Sequence, residues 1–373
     1  MLSVDTAVPY LLERGLISAQ ALIDGDLTIT SAARRNRNLR VAGSGGGYLI
    51  KQPDASAFGA EQTLRAEVAF YSFCEQEPAV AAMRALLPRL KYFDPERSLL
   101  ALELLENPQP LWTHYASRDV ARFPFQTARA VGQALGVFHR TFRLPGPAED
   151  PRLSWMSRQL PWVMRVHKPG PEMLSTLSPA NYQTLRILQT QEQLSQNLDR
   201  LRKLWTPVTL IHNDIKSDNV LVLPPREGPE GAPEVRLVDW ELVQVGDPAW
   251  DIAGALQDMV LFWVASMPVG APLTPEQLVA SARYPLPVLQ QALRALWQGY
   301  RVAAGLDAAE ASALLARAVP YSAARLIQSA YESAHTSNAL PATSVLMLQI
   351  SANLLNDPRA SQVQLYGLVQ GLV

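Results

Sequence analysis

Cysteine is nearly absent from this sequence, which has 373 residues and a single cysteine, Cys74. One cysteine cannot form an intrachain disulfide, so the sequence favours a reducing compartment and we expect a cytoplasmic protein. Cys74 lies in an apolar stretch. We interpret it as a small buried hydrophobe in preference to a reactive thiol.

Long hydrophobic runs and an excess of one charge are also missing. The most apolar stretch, from Met259 to Met267, is well below the roughly 20 residues that a membrane span requires, so it predicts a buried helix. The first residues show no basic start followed by an apolar core, so no secretion signal is predicted. Because the net charge is only −1, we expect neither nucleic acid nor a membrane surface as a partner.

The first hundred residues have the pattern of a small α+β unit. Short, partly alternating segments predict antiparallel strands at 27–30, 38–42 and 48–52. A glycine-rich turn from Gly43 to Gly47 joins the last two of these strands. The other predicted elements are helices at 7–23 and 59–76 and a strand at 99–106. We therefore predict a first lobe over residues 1–106.

Helical patterns dominate from residue 107 onward. They predict helices at 127–142 and 180–204 and further helices from 249 to the end. Strand-like apolar runs interrupt this pattern at 208–214, 219–223 and 234–242. We predict a second, mainly helical lobe over residues 107–373. Within it, residues 208–255 hold the candidate catalytic loop, and residues 145–207 form a long insert that is a candidate binding surface.

A polar loop between two of the apolar runs holds the most informative residues. His212, Asp214 and Asn219 follow the spacing H-x-D-x-x-x-x-N, and Asp239 and Glu241 come at the end of the next apolar strand. Phosphoryl transfer from a nucleotide needs a carboxylate to orient the attacking hydroxyl and oxygen ligands for magnesium ions that neutralise the phosphates. A loop held between strands, with a second carboxylate on a neighbouring strand, can supply both.

These motifs resemble those of the aminoglycoside phosphotransferase and choline kinase family, distant relatives of the eukaryotic protein kinases. The polar loop resembles the family's catalytic loop, Asp239 and Glu241 its metal-binding D-x-D/E, and residues 246–251 its G-D-P-x-x-D motif. The resemblance spans roughly residues 27 to 255. It implies a bilobal, protein-kinase-like α+β fold, with a small antiparallel-sheet lobe and a large helical lobe, and an ATP-dependent phosphotransferase.

The resemblance also implies a role for each motif residue. Asp214 is the expected catalytic base, and Asp251 is expected to brace the catalytic loop. The expected Mg²⁺ ligands are Asn219, Asp239 and Glu241. Lys216, two residues after the base, is predicted to neutralise charge on the migrating phosphoryl group, and a solvated loop lysine is the alternative.

A kinase-like nucleotide site needs a lysine on the third strand to bind phosphates and an acid on the next helix to orient it. Lys51 is the only lysine in the first ninety residues and lies in the predicted third strand. Glu67 is its predicted partner, with Glu61 as the alternative. The segment 102–106 fits the hinge that binds adenine through its backbone, and we assign Glu103 and Leu105 to this contact.

Glycine is missing from the loop between the first two strands, where backbone N–H groups would close over the phosphates. Residues 31–38 contain none, and the glycine-rich turn lies one hairpin too late. We therefore predict that Ser31, Arg34 and Arg35, with Arg37 as a further candidate, contact the phosphates instead. The alternative is a solvated hairpin tip.

The acceptor is less well defined by the sequence. The helical lobe has no acidic run, which argues against a polycationic acceptor. One candidate is a small alcohol; the other is a Ser or Thr of a peptide bound by the insert, since relatives of the family occur in ribosomal-peptide modification, where pathway partner proteins would be expected. A pseudokinase that binds nucleotide or a partner without phosphoryl transfer is a further alternative, and the full set of expected catalytic residues argues against it.

Overall fold

The computed structural model describes residues 2–31, 37–43, 46–54, 59–143, 153–225 and 233–369. Its strands are β1 Thr28–Ser31, β2 Arg37–Gly43, β3 Gly46–Gln52, β4 Leu90–Asp94, β5 Leu99–Glu103, β6 Gln109–Pro110, β7 Thr209–Ile211, β8 Val220–Leu223, β9 Glu234–Leu237 and β10 Gln244–Gly246. Its helices are α1 Val4–Glu13, α2 Ala19–Ile23, α3 Ala60–Gln76, α4 Leu111–Ala116, α5 Phe125–Thr141, α6 Pro171–Ser175, α7 Pro179–Thr190, α8 Glu192–Leu204, α9 Pro248–Ala265, α10 Pro275–Ala280, α11 Leu286–Ala304, α12 Ala308–Ser333, α13 Ala342–Asn356 and α14 Pro358–Gln364.

The first five strands form one antiparallel sheet in the order β1-β2-β3-β5-β4. The glycine-rich turn closes the β2–β3 hairpin, where Gly43 pairs with Gly46. A Cβ atom on Gly47 would lie 2.1 Å from the carbonyl oxygen of Val41, so this position requires glycine. The glycines therefore serve hairpin packing, as their position in the sequence indicates.

The two faces of this sheet have different partners. On the outer face, Ile50 packs with the buried Tyr10 and Leu11 of α1. On the inner face, the buried Lys51 lies beside Glu67 of α3. Side chains alternate along a strand, so consecutive residues of β3 point to opposite faces. The alternation directs the lysine toward the second lobe.

The second lobe is a helical assembly in which α9 is buried on almost every side. Helix α5 packs closely on α11 because Gly132 and Gly136 carry no side chain. A Cβ on Gly132 would lie 1.9 Å from the carbonyl oxygen of Leu296, and one on Gly136 would lie 2.6 Å from that of Tyr300. Among the described helices, none combines the length and the apolar character that crossing a membrane requires.

Several predicted boundaries are wrong, each for a local reason. The helix at 7–23 is divided into α1 and α2, because Gly15 is left-handed (φ 66°) and the hydroxyl of Ser18 caps a new helix. The helix at 180–204 is divided into α7 and α8 at the extended Gln191. The strand at 234–242 ends at Leu237, since Asp239 is left-handed (φ 71°). The sequence does not indicate β4, which mixes charged and aromatic residues.

The structure confirms that Cys74 is a buried residue and that the apolar stretch from Met259 belongs to a buried helix. Cys74 is fully buried, and burial raises the pKa of its thiol to about 12, so it stays protonated. The apolar stretch that starts at Met259 forms the second half of α9. Strand β9 pairs with β8, with Leu237 opposite Val220, which brings the end of β9 to the loop between β7 and β8.

Candidate active site

The carboxylate of Asp214 is held by three side chains. Its Oδ2 accepts hydrogen bonds from Nζ of Lys216 at 2.6 Å and from Nδ2 of Asn219 at 3.0 Å. Asn219 Nδ2 also donates to the backbone carbonyl of Asp214 at 2.8 Å. The other oxygen, Oδ1, lies 3.5 Å from a guanidinium nitrogen of Arg325. The side chain is 16% exposed, so it is fixed in orientation and still open to a substrate.

Lys51, Glu67 and Asp239 form an ion cluster. Lys51 Nζ donates to the two carboxylate oxygens of Glu67 at 2.8 and 3.0 Å and to Oδ1 of Asp239 at 2.7 Å. Glu67 is fully buried, whereas the Asp239 side chain is 33% exposed, so the cluster opens to solvent at Asp239. The alternative partner, Glu61, is exposed and pairs with Arg65 instead. The structure thus brings Lys51 together with Glu67.

The charges of Lys51 and Asp239 reinforce one another, whereas burial raises the pKa of Glu67. Burial alone would lower the pKa of Lys51, but the carboxylates of Glu67 and Asp239 outweigh it and raise that pKa above its ordinary value. Burial would raise the pKa of Asp239, but the ammonium of Lys51 outweighs it and holds that pKa below its ordinary value. At neutral pH, Lys51 is therefore a cation and Asp239 an anion. These are the states that phosphate and metal binding require.

Backbone contacts join the ion cluster to the catalytic loop. A ring nitrogen of His212 lies 2.9 Å from the carbonyl oxygen of Val238, and the N–H of Val238 donates to the carbonyl oxygen of Asn219 at 3.0 Å. The next residue, Asp239, has its backbone in the left-handed region, which aspartate tolerates better than most residues. The contact through His212 explains the histidine of the H-x-D motif as a structural link.

One face of α9 supports the catalytic loop. The carboxylate of Asp251 accepts the backbone N–H groups of His212 at 2.7 Å and of Asn213 at 2.9 Å. Two turns later, the carboxylate of Asp258 accepts the backbone N–H of Ser217 at 3.0 Å and also its hydroxyl. Both side chains are buried. Burial raises the pKa of Asp258, and the hydrogen bonds from Ser217 oppose that rise. The same helix therefore fixes both ends of the segment that carries Asp214.

Gly254 lies between these two carboxylates on the same helix face. A Cβ on Gly254 would lie 2.7 Å from the carbonyl oxygen of Ile215, so glycine permits the loop to approach. The G-D-P-x-x-D motif predicts that Asp251 braces the loop, but no sequence motif includes Asp258 or Gly254. Their spacing is the signal that could have revealed them, because positions i, i+3 and i+7 share a helix face.

Two further residues, which belong to no motif in the sequence, contact the catalytic loop or the aspartate that braces it. Arg325 of α12 donates to the carbonyl oxygen of Ile215 at 3.1 Å. His139 of α5 places a ring nitrogen 3.2 Å from Oδ2 of Asp251. Arg325 contacts the loop from 110 positions away in the chain, and His139 contacts Asp251, which lies 112 positions from it. Only the fold brings them there.

Two oxygen atoms of the site are available to a metal ion. Asn219 Oδ1 and Asp239 Oδ2 accept no hydrogen bond from other described residues. Mg²⁺ keeps several waters and takes only one or two protein carboxylates, so this donor set fits it. The third predicted ligand, Glu241, has Oε2 at 3.5 Å from the hydroxyl of Thr63. The described ranges contain no group of three or more His, Cys, Asp or Glu residues arranged for a metal.

The other predicted nucleotide contacts are less complete in the structure. The carboxylate of Glu103 accepts the N–H of Arg89 at 3.2 Å, and its own N–H donates to the Arg89 carbonyl at 2.8 Å. The N–H of Leu105 makes no hydrogen bond to a described residue. Ser31 is exposed at the end of β1. The predicted contacts Arg34 and Arg35 lie outside the described residues.

A cavity of about 1350 Å³ lies on the other side of the hinge. The predicted adenine contacts Glu103 and Leu105 line this cavity, together with Tyr48 of the outer sheet face, whereas Lys51 and Asp239 do not. Its size suits a nucleotide. Lys51 and the free carboxylate oxygen of Asp239 lie on the inner face of the sheet, apart from this cavity.

Comparisons with known proteins agree with this geometry. The phosphotransferase enzyme family matches residues 26–306 by its sequence profile. No curated protein matches the sequence. Similar solved structures include an ethanolamine kinase of Plasmodium vivax, with 11% identity, 95% of this chain and 89% of that chain covered, and a TM-score of 0.56. Others are a choline kinase of Cryptosporidium parvum (11%, 99% and 99%, 0.56) and a choline/ethanolamine kinase family protein of Mesorhizobium loti (15%, 94% and 96%, 0.50).

At these identities, the solved structures establish the fold alone. They confirm the predicted bilobal kinase-like fold, and the family match over most of the chain confirms the predicted phosphotransferase. The catalytic loop, the ion cluster and the G-D-P-x-x-D motif all fall inside the matched segment. This chain belongs to the phosphotransferase enzyme family.

Proposed function

We propose that this protein transfers the γ-phosphate of ATP to a hydroxyl group of a small molecule, with Mg²⁺ as cofactor. The ion cluster of Lys51, Glu67 and Asp239 supports this proposal most strongly. The loop backbone joins the cluster to Asp214, whose carboxylate is fixed by hydrogen bonds. These residues are a phosphate-binding cation, its orienting acid, a metal-binding acid and a base. Phosphoryl transfer uses all four.

Asp214 acts as the base in this proposal. It orients the acceptor hydroxyl and takes its proton as the new O–P bond forms and the bond to ADP breaks. Burial alone would lower the pKa of Lys216, but the Asp214 carboxylate outweighs it and raises that pKa, so Lys216 stays charged. The Lys216 side chain is 42% exposed, which leaves it free to meet the phosphoryl group during transfer.

The nucleotide lies on the inner face of the sheet. Lys51 binds its phosphates, and Glu67 keeps the lysine in place. The free N–H of Leu105 meets the adenine ring, while Glu103 contributes through its carbonyl group. Ser31, Arg34 and Arg35 remain the expected contacts to the terminal phosphate.

Asn219 and Asp239 would hold Mg²⁺ through the two oxygens that have no described partner. Glu241, at the rim, is the further candidate ligand. The ion, when bound, neutralises charge on the phosphates. Asp239 can bind the lysine and the metal at the same time, because Oδ1 accepts the lysine ammonium and Oδ2 stays available.

A small alcohol is the acceptor that the structure favours. The similar solved structures include choline and ethanolamine kinases. A peptide acceptor would need the 145–207 insert as an open binding surface. In its described part, Leu185, Leu188 and Leu198 are buried in the main core of the second lobe, so these helices form part of the lobe. A pseudokinase is disfavoured because no expected catalytic side chain is missing.

Incubation with γ-labelled ATP and Mg²⁺ tests the proposal. The acceptor panel contains choline, ethanolamine, neutral sugars and peptides with Ser or Thr. We expect label in a phosphomonoester of a small alcohol and none when magnesium is chelated. Label in the peptides alone would overturn the acceptor class. Magnesium-dependent ATP binding without any transfer would identify a pseudokinase.

A further inference from the structure

Arg325 reaches the catalytic loop from a helix that the family match does not include. The matched segment ends at residue 306, and α12 begins at Ala308. Arg325 lies in the second half of α12, and its side chain is only 5% exposed. A guanidinium cannot lose its proton in a protein, so a full positive charge is buried beside the base. Burial of a charge is costly unless it is paired.

The guanidinium bridges two parts of the loop. One terminal nitrogen donates to the Ile215 carbonyl oxygen at 3.1 Å and lies 3.5 Å from Oδ1 of Asp214. Because Lys216 and Asn219 bind the other oxygen, Oδ2, the carboxylate has a donor on each side. Rotation of the carboxylate would break contacts at both oxygens.

The orientation of Arg325 is itself fixed. Its other terminal nitrogen donates to Oε1 of Gln328, one turn further along α12, at 3.0 Å. The guanidinium carbon lies 5.5 Å from the ring centroid of Trp250, where a cation is attracted by the ring. The indole N–H of Trp250 donates to the carbonyl oxygen of Asn213 at 3.3 Å. The arginine and its aromatic platform therefore contact the same loop.

We propose that Arg325 is a positioning residue, which holds the carboxylate of Asp214 and the backbone at Ile215 in the orientation that the transfer needs. The inference rests on the proposed function. Lysine cannot replace it fully, since one ammonium lacks the planar fork and the flat face that pack on an aromatic ring. Helix α12 thereby becomes part of the catalytic apparatus, although it lies outside the family match.

Arg317 offers a matched control on the same helix. It forms a two-point ion pair with the buried Asp247, the N-cap of α9, at 2.8 and 3.1 Å. It makes no contact with the base. Arg317→Met and Arg325→Met therefore both remove an ion pair of α12, and only the second removes a contact to the catalytic loop.

The test combines amide hydrogen exchange of residues 208–219 with MgATP binding and MgATP turnover. In Arg325→Met, we expect faster exchange of the loop, unchanged MgATP affinity, and a turnover loss on the order of 100-fold, as misplacement of a reacting group causes. Arg325→Lys should recover part of the turnover. Arg317→Met should lower the thermal stability and leave loop exchange and turnover within about threefold.

Unchanged loop exchange in Arg325→Met would overturn the inference, and so would a turnover loss equal to that of Arg317→Met. If Arg325→Met does not fold, Arg325→Lys decides, with faster loop exchange and reduced turnover expected. A wild-type protein that binds MgATP without turnover rejects the proposed function. In that case, loop exchange alone decides whether Arg325 positions the loop.

Discussion

The phosphate side and the base side of this site are built in different ways. On the phosphate side, Lys51 forms direct ion pairs with Glu67 and Asp239, and each of these residues stands in a recognisable sequence pattern. On the base side, Asp214 depends on a loop that is held by α9 and by Arg325 of α12. Ion pairs between charged side chains hold the first region, whereas hydrogen bonds between the loop backbone and side chains of α9 and α12 hold much of the second.

The charges differ in the same way. The phosphate side concentrates two carboxylates on one lysine, so the loss of that lysine leaves both carboxylates without their cation. On the base side, carboxylates on α9 accept neutral backbone N–H groups. Removal of one such carboxylate leaves hydrogen-bond donors without an acceptor, which is a smaller penalty. This difference predicts an order of effects.

The largest effect is expected for Lys51→Met. Removal of one partner of a buried ion pair typically costs about 3–5 kcal/mol, so we expect a large loss of unfolding free energy and no detectable transfer. Chemical denaturation measures the first and a γ-label assay the second. Lys91→Met, at an exposed lysine of β4 in the same sheet, is the control and should change stability by less than about 0.5 kcal/mol. Equal unfolding free energies of Lys51→Met and Lys91→Met would contradict a stabilising role of the ion pairs of Lys51.

Asp258→Ala should have the next largest effect. It leaves the N–H and the hydroxyl of Ser217 without their acceptor, and unsatisfied buried groups cost about 1–3 kcal/mol. We expect a lower denaturation midpoint and a lower kcat, with MgATP affinity retained because the phosphate side is intact. Glu13→Ala, at an exposed acid of α1, is the control. A variant that loses nucleotide affinity as much as kcat would show that the two sides are not separate.

Gly254→Ala probes the close approach of α9 to the loop. Alanine is the better helix former by about 1 kcal/mol, but its Cβ would lie 2.7 Å from a backbone oxygen. Overpacking of this kind costs about 1–3 kcal/mol, so the net effect should be destabilising and kcat should fall. Gly170→Ala is the control, since a Cβ there meets nothing within 4 Å. A stabilised Gly254→Ala protein would contradict the tight contact.

The smallest effect on folding stability is expected at the arginines that precede β2 in the sequence. If Arg34 or Arg35 contacts the terminal phosphate, alanine at that position should raise the ATP KM about tenfold, since a charge-assisted contact is worth roughly 1.5–3 kcal/mol. ADP affinity should suffer less. Steady-state kinetics with both single variants measures this. Changes within about twofold at both positions would fit a solvated hairpin tip.

Residues in short sequence motifs could be named from the sequence, whereas residues on distant helices could not. Asp214, Asn219 and Asp239 were named from the sequence because phosphoryl-transfer chemistry needs fixed residue types at short spacing, and their roles stay a prediction. Arg325 and His139 were not, since contacts of a helix with residues far away in the chain leave no local pattern. Boundaries failed where a single residue changes the backbone, as at Gln191.

The most direct test of the account is Asp214→Ala. Single-turnover transfer of the γ-phosphate to the alcohol identified by the acceptor panel should fall roughly 10²–10⁴-fold, the usual contribution of a general base. MgATP affinity should stay within about twofold, because the variant leaves Lys51, Glu67 and Asp239 unchanged. A folded Asp214→Ala protein that transfers phosphate at the wild-type rate would contradict the central claim.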